Sequence, residues 1–310
     1  MRRVERASLR LYLALAGATL VFGLSFVAIK FALRGFEPLL GAFLRFSLAG
    51  GVLFLIGRFT RERDGGAPPL TRAELGRLAL LGFVSLTLYL GLENTGLAHT
   101  SAGEAAVLAG AIPIFVIVLN TFTLREPNGP RQWAGVFISF AGIIGLVWFG
   151  AESEDSAGGT LLGNLLVLGA SLAVAIYTLM ARHLLVQRSA LHVTTYQHLF
   201  GALFIVPAVV AEAALVGVHT PTWDAVGGIA FLALAASALG YLLFNYALRH
   251  ADASRVSVFT NLTPVVGVAG AYLVLGERFT LGQALAAAVV VLGVWLANTG
   301  CGAASCPPSS

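Results

Sequence analysis

Few side chains in this sequence can do chemistry, and most of those that can stand inside long apolar runs. Lys30 is the sole lysine; Arg45 lies within Gly41-Ala-Phe-Leu-Arg-Phe-Ser-Leu48, and Glu93 and Asn94 lie within Tyr89-Leu-Gly-Leu-Glu93-Asn94. A cation in the middle of an apolar helix costs about 2.5–3.5 kcal/mol on insertion scales, so it must find a partner or water. Lys30 has a second option, since its long stem can carry the ammonium out to the headgroups. Arg45 lies deeper and reads either as half of a buried charge pair or as a contact for a transported molecule. Glu93 reads either as a proton-binding carboxylate or as the ion-pair partner of Lys30 or Arg45. Asn94 and Asn245, with Tyr89 and Tyr241 about one turn before them, suit bonds between helices, at about 0.6 kcal/mol each, or contacts to a ligand. Tyr177 and the Thr260-Asn261 pair belong to the same polar set.

Pro113 and Pro264 read as mid-helix prolines that free the carbonyls of Ala109 and Thr260. Such backbone survives at membrane depth where a cavity or a polar side chain meets it. Ser101 and Asp252 read as helix N-caps, Ser101 with Glu104 as a capping box. Glu126 and Glu277 read as residues that fix the turns after helices 4 and 9. His99, His183, His192, His198 and His250 share no metal-ligand spacing, and Cys301 and Cys306 sit in a polar tail with no histidine beside them. No metal and no cofactor is expected.

The elements that position these residues follow from composition. Of 310 residues, 57% are hydrophobic and 11% charged, and the mean hydropathy is +0.85. Such a chain is an integral protein of the lipid bilayer. Its apolar runs predict an all-α polytopic membrane protein of ten transmembrane helices, near 11–33, 38–57, 75–98, 102–124, 131–149, 160–182, 191–216, 224–248, 253–275 and 280–298. The first of these reads as an uncleaved span. Fifteen arginines fall on one set of alternate loops and ends, against Arg34 and Arg278 on the other, with Lys30 and Arg45 inside helices. Both termini are therefore expected to be cytoplasmic in a plasma (inner) membrane. The net charge of +4 is spread among loops without aromatic platforms, which speaks against nucleic acid as a partner.

A shift of 151 positions superimposes Asn94 on Asn245, His99 on His250, Pro113 on Pro264, Glu126 on Glu277, Gln132 on Gln283 and Gly142 on Gly293. Further upstream a shift of 152 places Gly17-Ala-Thr-Leu20 on Gly169-Ala-Ser-Leu172. The chain is thus two copies of one unit, 11–149 and 160–298, followed by a tail at 299–310 expected to be disordered. Five spans per copy make the second copy enter from the opposite side, an inverted repeat. One departure from the repeat stands out: Phe244 occupies the position of Glu93.

These residues resemble the EamA-type branch of the drug/metabolite transporter superfamily. The likeness rests on Phe22-Gly-Leu-Ser-Phe-Val-Ala-Ile-Lys30, Pro38 with Arg45, the hairpins at Leu97–Pro113 and Leu248–Pro264, and Leu275-Gly-Glu277-Arg278. It spans about residues 11 to 298. The resemblance implies that helices 1, 3, 4, 6, 8 and 9 line a central cavity, and that the activity is export or exchange of small metabolites.

Other classes find less support. No Gly-x-Ser-x-Gly, His-Glu-x-x-His or paired-aspartate motif marks an intramembrane enzyme, and no filter-like run or charged ring marks a channel. The alternative of a scaffold is set aside together with the channel. Helices 6 to 10 lack lysine and any mid-helix arginine, which argues against a multiply anionic cargo. Tyr89, Tyr177, Tyr241, Phe244 and Tyr246 suit an uncharged or zwitterionic small molecule such as an amino acid or a drug-like compound, with protons as a possible coupling partner. Arg-, Ala- and Gly-rich usage points to a bacterial source.

Overall fold

The computed structural model describes residues 2–60, 70–123, 129–151, 160–217, 220–250 and 262–299. Among these residues the chain is helical with no strand. The helices are α1 (Arg2–Ala32), α2 (Pro38–Thr60), α3 (Arg72–His99), a two-part α4 (Ala102–Ala109 and Ile112–Thr123) and α5 (Pro130–Ala151). The second half contributes α6 (Leu161–Gln187), α7 (Ala190–Val216), α8 (Trp223–His250), α9 (Thr263–Leu275) and α10 (Leu281–Thr299). Eight helices of the described residues are long and apolar enough to cross a membrane, while Thr263–Leu275 and Leu281–Ala297 are shorter apolar helices. The expected ninth span began at Ala253, but 251–261 lie outside the described residues, as do Thr260, Asn261, Asp252 and Glu126.

The starts of these helices follow local chemistry. Ser101, Thr160, Ser189 and Thr222 each accept a bond from the backbone N–H three residues on, filling one of the donors a helix start leaves idle. Thr280 and Gln283 do this reciprocally at the start of α10. The equivalent Gln132 accepts from Gly129 N–H at the start of α5.

The fourth helix breaks at Gly110-Ala111, directly before Pro113, which is the second residue of the segment Ile112–Thr123. Pro264 is likewise the second residue of α9. At the first turn of a helix the missing N–H has no intrahelical acceptor to lose, so the proline starts a helix there at no cost in hydrogen bonds.

Packing relates the two halves reciprocally. Gly17 of α1 faces Leu243 of α8, and Gly169 of α6 faces Leu92 of α3, with the added Cβ lying 3.2 and 3.4 Å from the leucine methyl. Each member of one pair is the repeat partner of its counterpart in the other. The same holds where α5 meets α10. A Cβ on Gly142 would reach Val290 N at 2.7 Å, and one on Gly293 would collide with the backbone of Ser139, the repeat partner of Val290. Ser139 Oγ adds a bond to Val290 O at 3.1 Å. Bare backbone at these crossings lets helices meet where lipid offers no hydrophobic incentive, because close van der Waals contact replaces it.

Two stretches of helix are underwound into the wider π geometry: Phe83–Leu88 in α3 and Leu232–Gly240 in α8. Shifted by 151, the first falls within the second. Each is followed at once by a tyrosine, Tyr89 or Tyr241, that opens the polar part of its helix. A third, Ala271–Leu275, ends α9 at the left-handed Gly276, whose φ is 69°.

Candidate functional site

The intramembrane polar residues gather into three groups. The central one joins α2, α3, α7 and α8. Arg45 and Glu93 are each 2% exposed. The Arg45 Nε–H donates to Ser237 Oγ at 2.6 Å, within the π stretch of α8, and its Nη1 has no partner. The Tyr89 hydroxyl donates to Glu93 Oε1 at 2.7 Å, and Oε2 has no partner. Arg45 and Glu93 act on one another electrostatically, yet they do not form the ion pair that the sequence suggested. The reason is local: Ser237 and Tyr89 each take up part of a group that would otherwise reach across.

His198 of α7, fully buried, completes this group. Its Nδ1 lies 2.8 Å from Thr194 O. A carbonyl can only accept, so Nδ1 carries the proton, and the neutral ring offers Nε2 as an acceptor. That Nε2 has no partner. The ring stands edge-on to Tyr241 at 5.4 Å and to Phe46 at 6.4 Å. Tyr241 also meets Phe22 at 5.5 Å and Tyr177 at 6.1 Å, so aromatic faces wall the charged atoms.

A second group ties helices together. The Tyr177 hydroxyl donates to Asn245 Oδ1, and Asn245 Nδ2 donates to Thr194 Oγ1, each at 2.8 Å, tying α6, α8 and α7 together. Gln197 lies beside the Tyr177 hydroxyl without completing a hydrogen bond. Asn94, the repeat partner of Asn245, donates instead to Pro38 O at the start of α2, at 3.1 Å.

The third group lies where α1 and α3 end and α4, α6 and α10 begin. Glu277 follows Gly276 and accepts from Ala102 N–H at 2.9 Å and Gly103 N–H at 2.8 Å. It therefore caps a helix of the other half, a larger role than fixing its own turn, and its charge suits a helix N-terminus. Fully buried Glu104 accepts from Gln283 Nε2 at 2.7 Å. Thr100 Oγ1 stands 2.9 Å from Glu104 Oε2 and 2.6 Å from the Asn164 amide. One hydroxyl proton cannot serve both; the carboxylate takes it, and Asn164 turns its NH2 to the hydroxyl oxygen. Glu277 and Glu104 both act electrostatically on the partly exposed Lys30, which gives the lone lysine its counter-charges.

Sequence reasoning missed Ser237, His198, Glu212 and Asn164. Glu212 of α7 accepts from Leu39 and Leu40 N–H at the start of α2 at 2.9–3.1 Å. It also missed the bidentate pair of Arg188 with Glu74, at 3.1 Å for each bond. A polar residue within an apolar run was a signal for Ser237, His198, Glu212 and Asn164. A groove of about 1190 Å³ is lined by α9, α10 and Val107 with Tyr272, Arg278, Phe279 and Trp295, and it includes none of the residues of the central group. Among the described residues, the buried atoms of charged side chains that lack a partner are all in the central group, which is therefore the candidate site.

Comparison with known proteins agrees with this architecture of two like halves. The EamA-like transporter family matches twice, over residues 9–148 and 161–299. The chain belongs to that family. Among EamA relatives, the uncharacterized transporter YetK of Bacillus subtilis (strain 168) is 29% identical over 285 residues, covering 92% of this chain and 86% of that one. An uncharacterized transporter of Archaeoglobus fulgidus is 28% identical over 288 residues, covering 92% and 97%. A probable amino-acid metabolite efflux pump of Escherichia coli (strain K12) is 29% identical over 287 residues, covering 89% and 90%. A solved crystal structure superimposes with a TM-score of 0.65 at 16% identity, over 93% of this chain and 96% of that one, a likeness of fold alone. This EamA protein is thus a membrane transporter of small molecules and not an enzyme.

Proposed function

We propose that the chain is a secondary transporter that exports or exchanges small uncharged or zwitterionic metabolites, such as amino acids or drug-like compounds, by alternating access. Its architecture on this reading is ten spans in two inverted repeats, 11–149 and 160–298, with both termini and the 299–310 tail on the cytoplasmic side of a plasma (inner) membrane. The observation that carries the proposal is the central group: a buried cation and a buried carboxylate, each with an idle atom, held between the halves. A structural role alone would be expected to saturate such costly groups. The reciprocal crossings of α1 with α8 and α6 with α3 support rocking of one half against the other. The name of the Escherichia coli relative is in keeping with this class of cargo.

The direct test is to preload liposomes containing the protein with a mixture of small metabolites and count what leaves, with and without a pH gradient. Loss of no solute beyond protein-free liposomes overturns the reading. Proton coupling through Glu93 has its own test, because Gln keeps the shape of a protonated carboxyl with its charge held at zero. Glu93→Gln should abolish pH-driven flux and spare counterflow; retained pH-driven flux would remove Glu93 from coupling. The topology is checked with a reporter active only in the cytoplasm: signal is expected at Ser309 and none at Ser156, and signal at both would break the inverted arrangement.

A further inference from the structure

Two ion pairs join the halves at their ends, and the repeat relates them. Thr71 and Thr222 are 151 positions apart, and each caps its helix, α3 or α8, by accepting from the backbone N–H three residues on. Each helix carries an acid in its first turn, Glu74 in α3 and Asp224 in α8. Each acid meets an arginine from the turn between the first two helices of the other half: Arg188 lies between α6 and α7, and Arg34 between α1 and α2. Because successive helices run in opposite directions, the two pairs lie at opposite ends of the bundle.

The same parts are assembled differently at the two ends. Arg188 grips Glu74 through Nε and Nη2, each bond at 3.1 Å, with side chains only 7% and 16% exposed. Arg34 reaches Asp224 with Nη1 alone at 3.4 Å, both side chains are exposed, and its guanidinium lies over the Phe31 ring of its own helix. A bidentate, enclosed pair holds more firmly than a long, solvated one. At the slack end the turn between α3 and α4 is gripped instead by Glu277, which accepts from Ala102 and Gly103 N–H. The Phe279 ring closes over that turn, so near that a Cβ on Gly103 would meet it at 2.9 Å. An inverted repeat makes such asymmetry exchangeable, because each half can take up the arrangement of the other as access passes to the opposite side.

We propose, resting on the transporter reading, that Arg188–Glu74 and Arg34–Asp224 are alternating clasps. The first is closed in the present state and opens in the opposite-facing one, where the second closes and Glu277 releases the turn between α3 and α4. The clasps are therefore competitors: weakening one shifts the population toward the arrangement that the other holds. They set the balance between the two states and take no part in holding cargo.

The experiment places spin labels at Ala98→Cys and Leu281→Cys, exposed positions on either side of the Glu277 grip, in a chain carrying Cys301→Ser and Cys306→Ser. Their separation is measured by pulsed electron paramagnetic resonance in lipid nanodiscs. With both clasps intact, one short separation should dominate. Glu74→Gln keeps a capping-box acceptor and loses the charge, and it should raise a longer separation about tenfold in population although Glu74 lies at the far end of the bundle. Adding Asp224→Asn should remove that longer component, because the competing clasp is then lost. A merely structural pair would lower the melting temperature and leave the separation unchanged, and that result overturns the proposal. So does a longer component that survives Asp224→Asn. Should Glu74→Gln fail to fold, Asp224→Glu alone decides: its longer side chain should close the slack pair and raise the longer separation, and no rise overturns the clasps. Efflux of preloaded solutes from liposomes of the same proteins keeps the two readings apart. Fixed separations with solute release overturn the clasps alone, and fixed separations without release overturn transport as well. Separations that respond as expected without any release leave the clasps standing and overturn transport.

Discussion

The outer cluster around Glu104 and the central group around Arg45 contain the same kinds of residue and bond them in opposite ways. In the outer cluster each carboxylate is used up: Glu277 takes two backbone N–H groups, Glu104 takes Thr100 and Gln283, and both act on Lys30. In the central group Arg45 and Glu93 lie within mutual influence yet each keeps an idle atom. Glu104 is as deeply buried as Arg45 and Glu93, so burial does not separate it from them. Saturation does. A saturated buried charge holds helices in place, whereas an unsaturated one is held ready for something else.

That contrast is broken most directly at Glu104. Glu104→Leu should strand the donors of Thr100 and Gln283 and remove a counter-charge of Lys30, costing about 3–5 kcal/mol and lowering the melting temperature of the detergent-solubilised protein or its folding yield. An unchanged melting temperature would show that the outer cluster is not structural. The next effect belongs to Gly293, where a Cβ would collide with the backbone of Ser139. Gly293→Val should destabilise the protein more than Gly51→Val does, since a Cβ on Gly51 meets nothing within 4 Å. Equal effects would dismiss the close crossing of α5 and α10.

A smaller loss of stability is expected at the central group, with a larger loss of transport. Arg45→Leu should abolish substrate efflux and lower the melting temperature more than Arg34→Leu. The Arg34 pair with Asp224 is long, at 3.4 Å, and its side chains are 51% and 65% exposed, so its loss should leave stability nearly unchanged. Equal and negligible effects from both would mean that Arg45 bears no structural burden. The smallest effect is reserved for Tyr89→Phe, which removes one bond to Glu93 at a cost of about 1 kcal/mol. It should raise the apparent KM for efflux with little change in maximal rate, and an unchanged KM would remove Tyr89 from the site.

Some of this was legible in the residues and some was not. The apolar runs and the cap at Ser101 depend on neighbours a few positions away, and the duplicated landmarks on a repeat along the chain, so both are readable from one sequence. The position of the break, at Gly110-Ala111 and just before Pro113, was not legible, because a proline inside a hydrophobic run looks the same whether it bends a helix or starts one. The π stretches left no mark, since Phe83-Val-Ser-Leu-Thr-Leu88 is as apolar as the regular helix around it.

By itself the sequence determined that the chain lives in lipid, that it is built of two related halves, and that very few charges must be accommodated within them. Hydropathy, loop charge and the 151-residue shift suffice for that, because each is a sum or a repeat along the chain. Only the tertiary structure decided how those charges are satisfied. Arg45 turns to Ser237, 192 residues away, and Glu277 crosses to Ala102 and Gly103, 175 and 174 residues away. A single hydrogen bond at that separation has no local signature. Its partner is chosen by which helix surfaces fit closely enough to bring the two atoms together, and glycine and alanine contacts elsewhere in the bundle make that choice.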